Sequence, residues 1–212
     1  MKKRILSIML LCCMVLTMLP TTVLAADGPM DTIPKYDVSI DVYNRTSDIS
    51  IKDSRSYYIY SSVPDKLRDT WAWDKKIFIK GDKAAPHVFI DGVNIEMSPS
   101  SKGPAIELNK KASAYIYFIG KNSSLQGADG RAAIQKNRSE GQLYVLARTG
   151  TTVTCKGGDK AAGIGGSYAT RNISNGYYNG DMYGHGVNMH FGSRSNPDYW
   201  GGTIAAIGGR NG

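Results

Sequence analysis

Cysteine is nearly missing from this chain: three occur in 212 residues, and Cys12 and Cys13 lie inside an N-terminal apolar run. Beyond that run only Cys155 remains, so no disulfide can close within it and packing must stabilise the fold. The segment Thr151-Thr-Val-Thr-Cys155 reads as a strand, where Cys is a small buried hydrophobe. Helical periodicity is missing after residue 26, which excludes a helical bundle. Metal-ligand spacing is missing too: of the three histidines, His87, His185 and His190, the last two are five apart in a Gly-rich stretch and lack a Cys or carboxylate at metal-ligand spacing, and no calcium-loop pattern occurs. The short Gly163-Ile-Gly-Gly stretch has no helix after it to cradle a phosphate. No metal, nucleotide or other cofactor is expected.

One long apolar run is present, from Ile5 to Leu19 after Lys2-Lys-Arg4, broken only by Ser7 and Thr17. At 15 residues it is short of the roughly 20 that span a bilayer as a helix. Pro20 follows, and then Val23-Leu-Ala25 offers the small and branched residues that signal peptidase accepts. Residues 1–25 are therefore expected to be a cleaved export signal, with no membrane span left afterwards and a secreted or cell-surface destination. Cleavage removes three basic residues, so a net charge of +8 (26 − 18) becomes +5 (23 − 18). Export also argues against nucleic acid as a partner.

Glycine is abundant at 24 residues, about one and a half times a usual share of roughly 7%. Short alternating or β-branched runs recur between Gly, Asn, Asp, Ser and Pro, predicting strands at 38–42, 49–51, 57–60, 77–79, 88–90, 93–95, 115–119, 143–146, 151–154 and 187–191. A repeat ties them together. Pro-Ala-Ile106, Ala-Ala-Ile134, Ala-Gly-Ile164 and Ala-Ala-Ile207 share one pattern and lie 28, 30 and 43 residues apart. A second row of Ile95, Leu125 and Val153 and a third of Ile90, Phe118 and Val145 move with it. A period near 28 residues with about three strands and no helix predicts an all-β fold, a single-stranded parallel β-helix whose crossovers favour the right hand. Asn109 aligns with Asn137 as a ladder at the turn, and glycines at 163, 165, 166, 208 and 209 are expected to turn the backbone through positive φ. The solenoid is expected over 46–212, after an N-terminal strand or leader at 26–45, with insertions near 61–76 and 167–186. Solenoid ends are usually capped, and Ile207-Gly-Gly-Arg-Asn-Gly212 reads as mid-array, so further coils are expected beyond it.

The order Asp48-Ile-Ser-Ile-Lys-Asp, Val88-Phe-Ile-Asp-Gly-Val-Asn-Ile95, Ala133-Ile-Gln-Lys-Asn137 and Ala161-Ala-Gly-Ile-Gly-Gly166 resembles the secreted, repeat-containing β-helix surface proteins of anaerobic gut and cellulolytic bacteria. Related sequences are often described as carbohydrate-binding-domain proteins. The resemblance spans residues 46–212 and implies a fold and a surface role. Its motifs are core and turn residues, so it carries no binding residue onto this chain.

Candidate binding residues are aromatic, because sugar rings offer apolar C–H faces that stack on Trp and Tyr. Trp71 and Trp73 alternate and would point to one face of an extended segment, beside Arg68, Asp69 and Asp74. Tyr177, Tyr178, Tyr183, Tyr199 and Trp200 lie in or next to the second insertion. A β-helix polysaccharide lyase or glycoside hydrolase is the competing reading. A hydrolase needs two carboxylates about 5 to 9 Å apart, yet the row after the repeated Ile reads Glu107, Gln135, Gly165, Gly208 and holds one acid. No catalytic residue is therefore assigned. Asp129 and Asp159 suit turns. Lys110 and Arg138 share a register near Lys102, Lys111, Lys121, Lys136 and Arg148, a basic stripe able to attract an acidic polymer. The expected role is non-catalytic binding of a polysaccharide or cell-wall glycan, or adhesion; a structural segment of a larger surface protein is the third reading.

Overall fold

The structure is a computed structural model that describes residues 33–101, 103–109, 111–137, 140–166, 188–192 and 199–210. The expected export signal, the insertion around 167–186 with His185, and Lys102, Lys110 and Arg138 lie outside these residues. No helix among the described residues is long and apolar enough to cross a membrane.

The unit Pro34–Gly212 is a parallel β-solenoid of about four turns. Its strands are β1 Val38–Asp41, β2 Ile49–Ile51, β3 Ser56–Tyr60, β4 Ile77–Lys80, β5 His87–Asp91, β6 Asn94–Glu96, β7 Ile106–Asn109, β8 Ala114–Ile119, β9 Ser123–Gln126, β10 Ile134–Lys136, β11 Leu143–Ala147, β12 Thr152–Lys156, β13 Ile164–Gly165, β14 Met189–Phe191 and β15 Thr203–Ile207. They stack into three parallel sheets: β1-β3-β5-β8-β11-β14, β13-β10-β7-β4-β2 and β15-β12-β9-β6. Because β1 already pairs with β3, the stack starts inside the segment expected as an N-terminal strand or leader.

Several strands alternate a buried with a less buried residue, as in Ile106-Glu-Leu-Asn109 and Ala114-Tyr-Ile-Tyr117. The pleat sends successive side chains to opposite faces, and one of those faces is the solenoid interior. Coils are held in register by their aliphatic rows. The row Ile49, Ile77, Ile106, Ile134, Ile164 runs through the five-stranded sheet at steps of 28, 29, 28 and 30 residues. It contains three of the four predicted isoleucines and two earlier ones. Fully burying each such side chain contributes about 1.5–3 kcal/mol.

Other predicted rows shift. Leu125 faces Cys155, not Val153, and Phe118 faces Ala147, not Val145. Each error is two residues, the step that preserves the face and so leaves no trace in the alternation. Ile207 leaves the isoleucine row altogether: it pairs with Lys156 on the four-stranded sheet and is 47% exposed. Ala-Ala-Ile-Gly-Gly thus marks a local turn chemistry that recurs at two positions of the coil. Lys136, expected on a basic surface stripe, follows Ile51, Ile79 and Leu108 in an interior row and is buried. Burial pulls its ammonium pKa down, and Glu140 opposes that shift.

Two of the predicted glycines serve space rather than backbone rotation. A Cβ on Gly163 would meet the Cys155 carbonyl oxygen at 2.4 Å, and one on Gly209 would meet that of Gly158 at 1.7 Å. Gly165, at φ +131°, is the one that fits the predicted reason.

Candidate functional site

The first insertion contributes to the coil as well as to a loop. Residues between β3 and β4 must supply the strand position that β6, β9 and β12 occupy in later coils, and Trp73 supplies it by bridging to Ile95. Its amide donates to the Asn94 carbonyl at 2.8 Å, its carbonyl accepts from Glu96 at 3.0 Å, and its ring continues the interior row Ile95, Leu125, Cys155. The ring is 2% exposed, with Nε1–H donating to the Arg45 carbonyl at 2.8 Å. Trp71 is half-buried, packs against the same core and meets Tyr43 edge-on at 5.4 Å. The predicted common face of Trp71 and Trp73 is thus the interior one. Trp73 is therefore not a solvent-facing sugar platform, whereas Trp71 keeps part of its ring exposed: closing the first coil requires a large apolar side chain where the next coils use Ile and Leu.

The rest of the insertion builds a wall. A 3-10 turn at Asp65–Leu67 brings Arg68 back over the coil. There Nη1 donates to the Gly92 carbonyl at 3.0 Å and Nη2 to that of Val63 at 3.2 Å. Lys121 Nζ donates to Asp65 Oδ1 at 2.7 Å, and Arg68 Nε reaches the same oxygen at 3.4 Å. The hydrogen bond from Lys121 chiefly holds the exposed Asp65 carboxyl below its usual pKa. Between this wall and the outer face of the four-stranded sheet runs an open groove of about 630 Å³, lined by Asp65, Arg68, Asp69, Asn94, Gly120, Lys121, Asn122, Ser123, Ser124, Thr152 and Thr154.

The groove floor follows from register. Asn94, Ser124 and Thr154 are opposite one another on β6, β9 and β12, each one residue before the interior Ile95, Leu125 and Cys155. Parity therefore turns all three outward. Asn94 is committed to the fold, its Oδ1 accepting from the Ser124 amide at 3.1 Å and its Nδ2 donating to the Arg68 carbonyl at 2.8 Å. Asn122 Oδ1 accepts from the Thr152 amide at 2.8 Å. The hydroxyls of Ser124, Thr152 and Thr154, Asn122 Nδ2 and the Asp69 carboxylate make no hydrogen bond among the described residues. They are the groups with spare capacity. Sequence reasoning singled out the wall residues Arg68 and Asp69 but missed the floor. Its signal was present as two 30-residue steps, from 94 to 124 to 154, hidden because the aliphatic row one residue on drew the alignment.

The remaining predicted aromatics do not gather here. Tyr199 and Trp200 meet edge to face at 4.5 Å; Arg148 lies over the Tyr199 ring at 5.7 Å, and Trp200 packs on Tyr117 at 5.1 Å, outside the six-stranded sheet. Tyr177, Tyr178 and Tyr183 lie outside the described residues. On the same outer face stands a ring ladder that sequence reasoning did not predict. His87 and Tyr115 stack at 4.7 Å, Tyr115 and Tyr144 at 4.6 Å, and Tyr144 and His190 at 4.4 Å, all within 13° of parallel. Rings stacked in this way cover one another's faces. Tyr115 and Tyr144 have both faces engaged and offer only edges and phenol oxygens, so the ladder is a spine and not a sugar-stacking surface.

A polar chain crosses the five-stranded sheet. Lys76 Nζ donates to Glu107 Oε2 at 2.7 Å and Asn137 Nδ2 to Glu107 Oε1 at 2.8 Å, while Gln135 Nε2 donates to Asn137 Oδ1. Asn137, opposite Asn109 by register, directs its amide to this chain. Among the described residues no group of three or more His, Cys, Asp or Glu is arranged to hold a metal ion. No family model matches the chain, and no curated protein or solved structure matches it either, so the fold and the groove stand on their own geometry.

Proposed function

We propose that this chain is a secreted or cell-surface β-solenoid that binds a glycan without cleaving it, in the manner of the bacterial repeat-containing surface proteins its motifs resemble. The observation that carries this reading is the groove: consecutive coils present uncommitted hydroxyls at one register, under a loop that the fold fastens with Arg68 and Lys121. Neighbouring coils lie ~4.8 Å apart, so an extended polymer along the axis meets a hydroxyl or amide at each coil. Rigidity lowers the ordering cost of binding. A hydroxyl-rich ligand suits a floor of Ser124, Thr152 and Thr154 better than an apolar one does.

The test is retention of the exported protein on insoluble polysaccharides and in native gels cast with soluble ones. Ser124→Ala, Thr152→Val and Thr154→Val together should weaken binding about tenfold or more, since each lost hydrogen bond is worth about 0.5–1.5 kcal/mol. Trp200→Ala should change it less. Failure to bind any polysaccharide would sink the proposal.

A second reading, a polysaccharide lyase, draws on the presence of Asp65, Asp69, Arg68 and Lys121 around one groove. Against it, Asp65 is pinned by two cations and Arg68 donates to two backbone carbonyls, so both serve the wall. Release of unsaturated uronate from an acidic polysaccharide, abolished by Lys121→Ala, would replace the binding reading with this one.

A further inference from the structure

The groove's charge distribution narrows the ligand class, an inference that rests on the glycan-binding reading above. The whole chain carries a formal charge of +8, which at first sight favours an acidic polymer. That excess does not extend into the groove. Arg68 and Lys121 are the cations among its described lining residues, against two carboxylates, Asp65 and Asp69, so the lining sums to zero. Both cations are also engaged. Lys121 reaches Asp65 at 2.7 Å; Arg68 directs Nε to Asp65 and its two terminal nitrogens to the Gly92 and Val63 carbonyls. An incoming carboxylate or sulfate would have to displace Asp65 or break the bonds that seat the loop.

Asp69 is the charged group left over. It is exposed, lines the groove and makes no hydrogen bond or ion pair among the described residues. A carboxylate accepts through two oxygens and repels anions, so it is suited to two adjacent hydroxyls of a sugar ring. Across from it, Ser124, Thr152 and Thr154 donate or accept, and Asn122 Nδ2 donates.

We infer that the groove takes a neutral glycan bearing vicinal hydroxyls, and that Asp69 is the residue that both holds the diol and rejects acidic polymers. The binding is then nearly independent of salt, because no net charge is neutralised; at 0.15 M ionic strength attraction from distant surface lysines is screened beyond about 8 Å.

Affinity electrophoresis of the exported protein at 0.15 M salt tests this, with xyloglucan, galactomannan and mixed-linkage β-glucan as neutral probes and polygalacturonate as the acidic one. At least one neutral polymer should retard the wild type, and polygalacturonate should not. Asp69→Ala should weaken neutral binding about tenfold or more, the effect of losing hydrogen bonds to a charged group. Asp69→Lys should do the same while bringing retardation by polygalacturonate; unchanged melting temperatures show that both variants are folded. If polygalacturonate retards the wild type more than every neutral polymer does, or if folded Asp69→Ala binds as the wild type, the inference falls and glycan binding stands. If no polymer of either kind retards the protein, glycan binding falls, and the inference with it.

Discussion

At Trp73 a large ring fills the interior of the first complete coil while its Nε1–H satisfies the Arg45 carbonyl. Truncation removes both contacts. Trp73→Ala should destabilise the protein by about 3–5 kcal/mol, read from urea unfolding, and Trp71→Ala by well under half of that because its ring is only half-buried. Equal losses would show that Trp73 does not have the core role assigned to it. Cys155 is buried in the same row, and burial pushes its thiol pKa from 9.0 up to about 12. A folded pKa raised above the unfolded one means that the unfolded chain loses its thiol proton first. The contribution to stability is therefore complete below pH 9.0 and lost as the pH rises toward about 12. Cys155→Ala should flatten that part of the alkaline limb of a stability curve, and folded protein at pH 8 should resist thiol labelling until denaturant is added. Rapid labelling of the native state would contradict the assignment.

At the scale of elements, the outer ladder of the six-stranded sheet couples four strands, β5, β8, β11 and β14, through rings 4.4–4.7 Å apart. Each stacked pair is worth about 0.5–1.5 kcal/mol beyond its buried area. Tyr115 takes part in two. Tyr115→Ala should therefore cost about 1–3 kcal/mol in stacking alone, while Tyr115→Phe, which keeps the ring, should be nearly neutral; thermal melts and near-UV circular dichroism distinguish them. A Tyr115→Ala variant melting with the wild type would remove the ladder from the account of stability. The ladder was as legible as the isoleucine row, since 87, 115 and 144 are 28 and 29 residues apart. The aliphatic rows mask it, and on a strand the outward position is where chemistry varies most. The Trp71 and Trp73 pair shows the converse. Alternation implies one common face, yet Trp73 points inward because the coil needs a filler beneath Ile95.

For the molecule as a whole, the solenoid resolves a composition that has no disulfide framework to stabilise it. Each coil buries aliphatic rows against its neighbours, and hydrogen bonds between coils take up the backbone groups, so stability accrues along the axis. The groove lining sets two cations against two carboxylates although the whole chain carries +8, so net charge says little about the groove. What the sequence by itself determined was the all-β class, the approximate coil length and the principal isoleucine row, because strand alternation and a period near 28 are properties of one chain read along its length. Tertiary structure alone decided three things: the register of the rows around Cys155 and Ala147, the inward fate of Trp73 and Lys136, and the assembly of the groove. The physical reason is common to all three. Residues two apart on a strand share a face, so alternation cannot distinguish them; side-chain packing between coils and the length of each turn choose the partner, and only that choice brings Asp69, Asn122, Ser124 and Thr154 to one site.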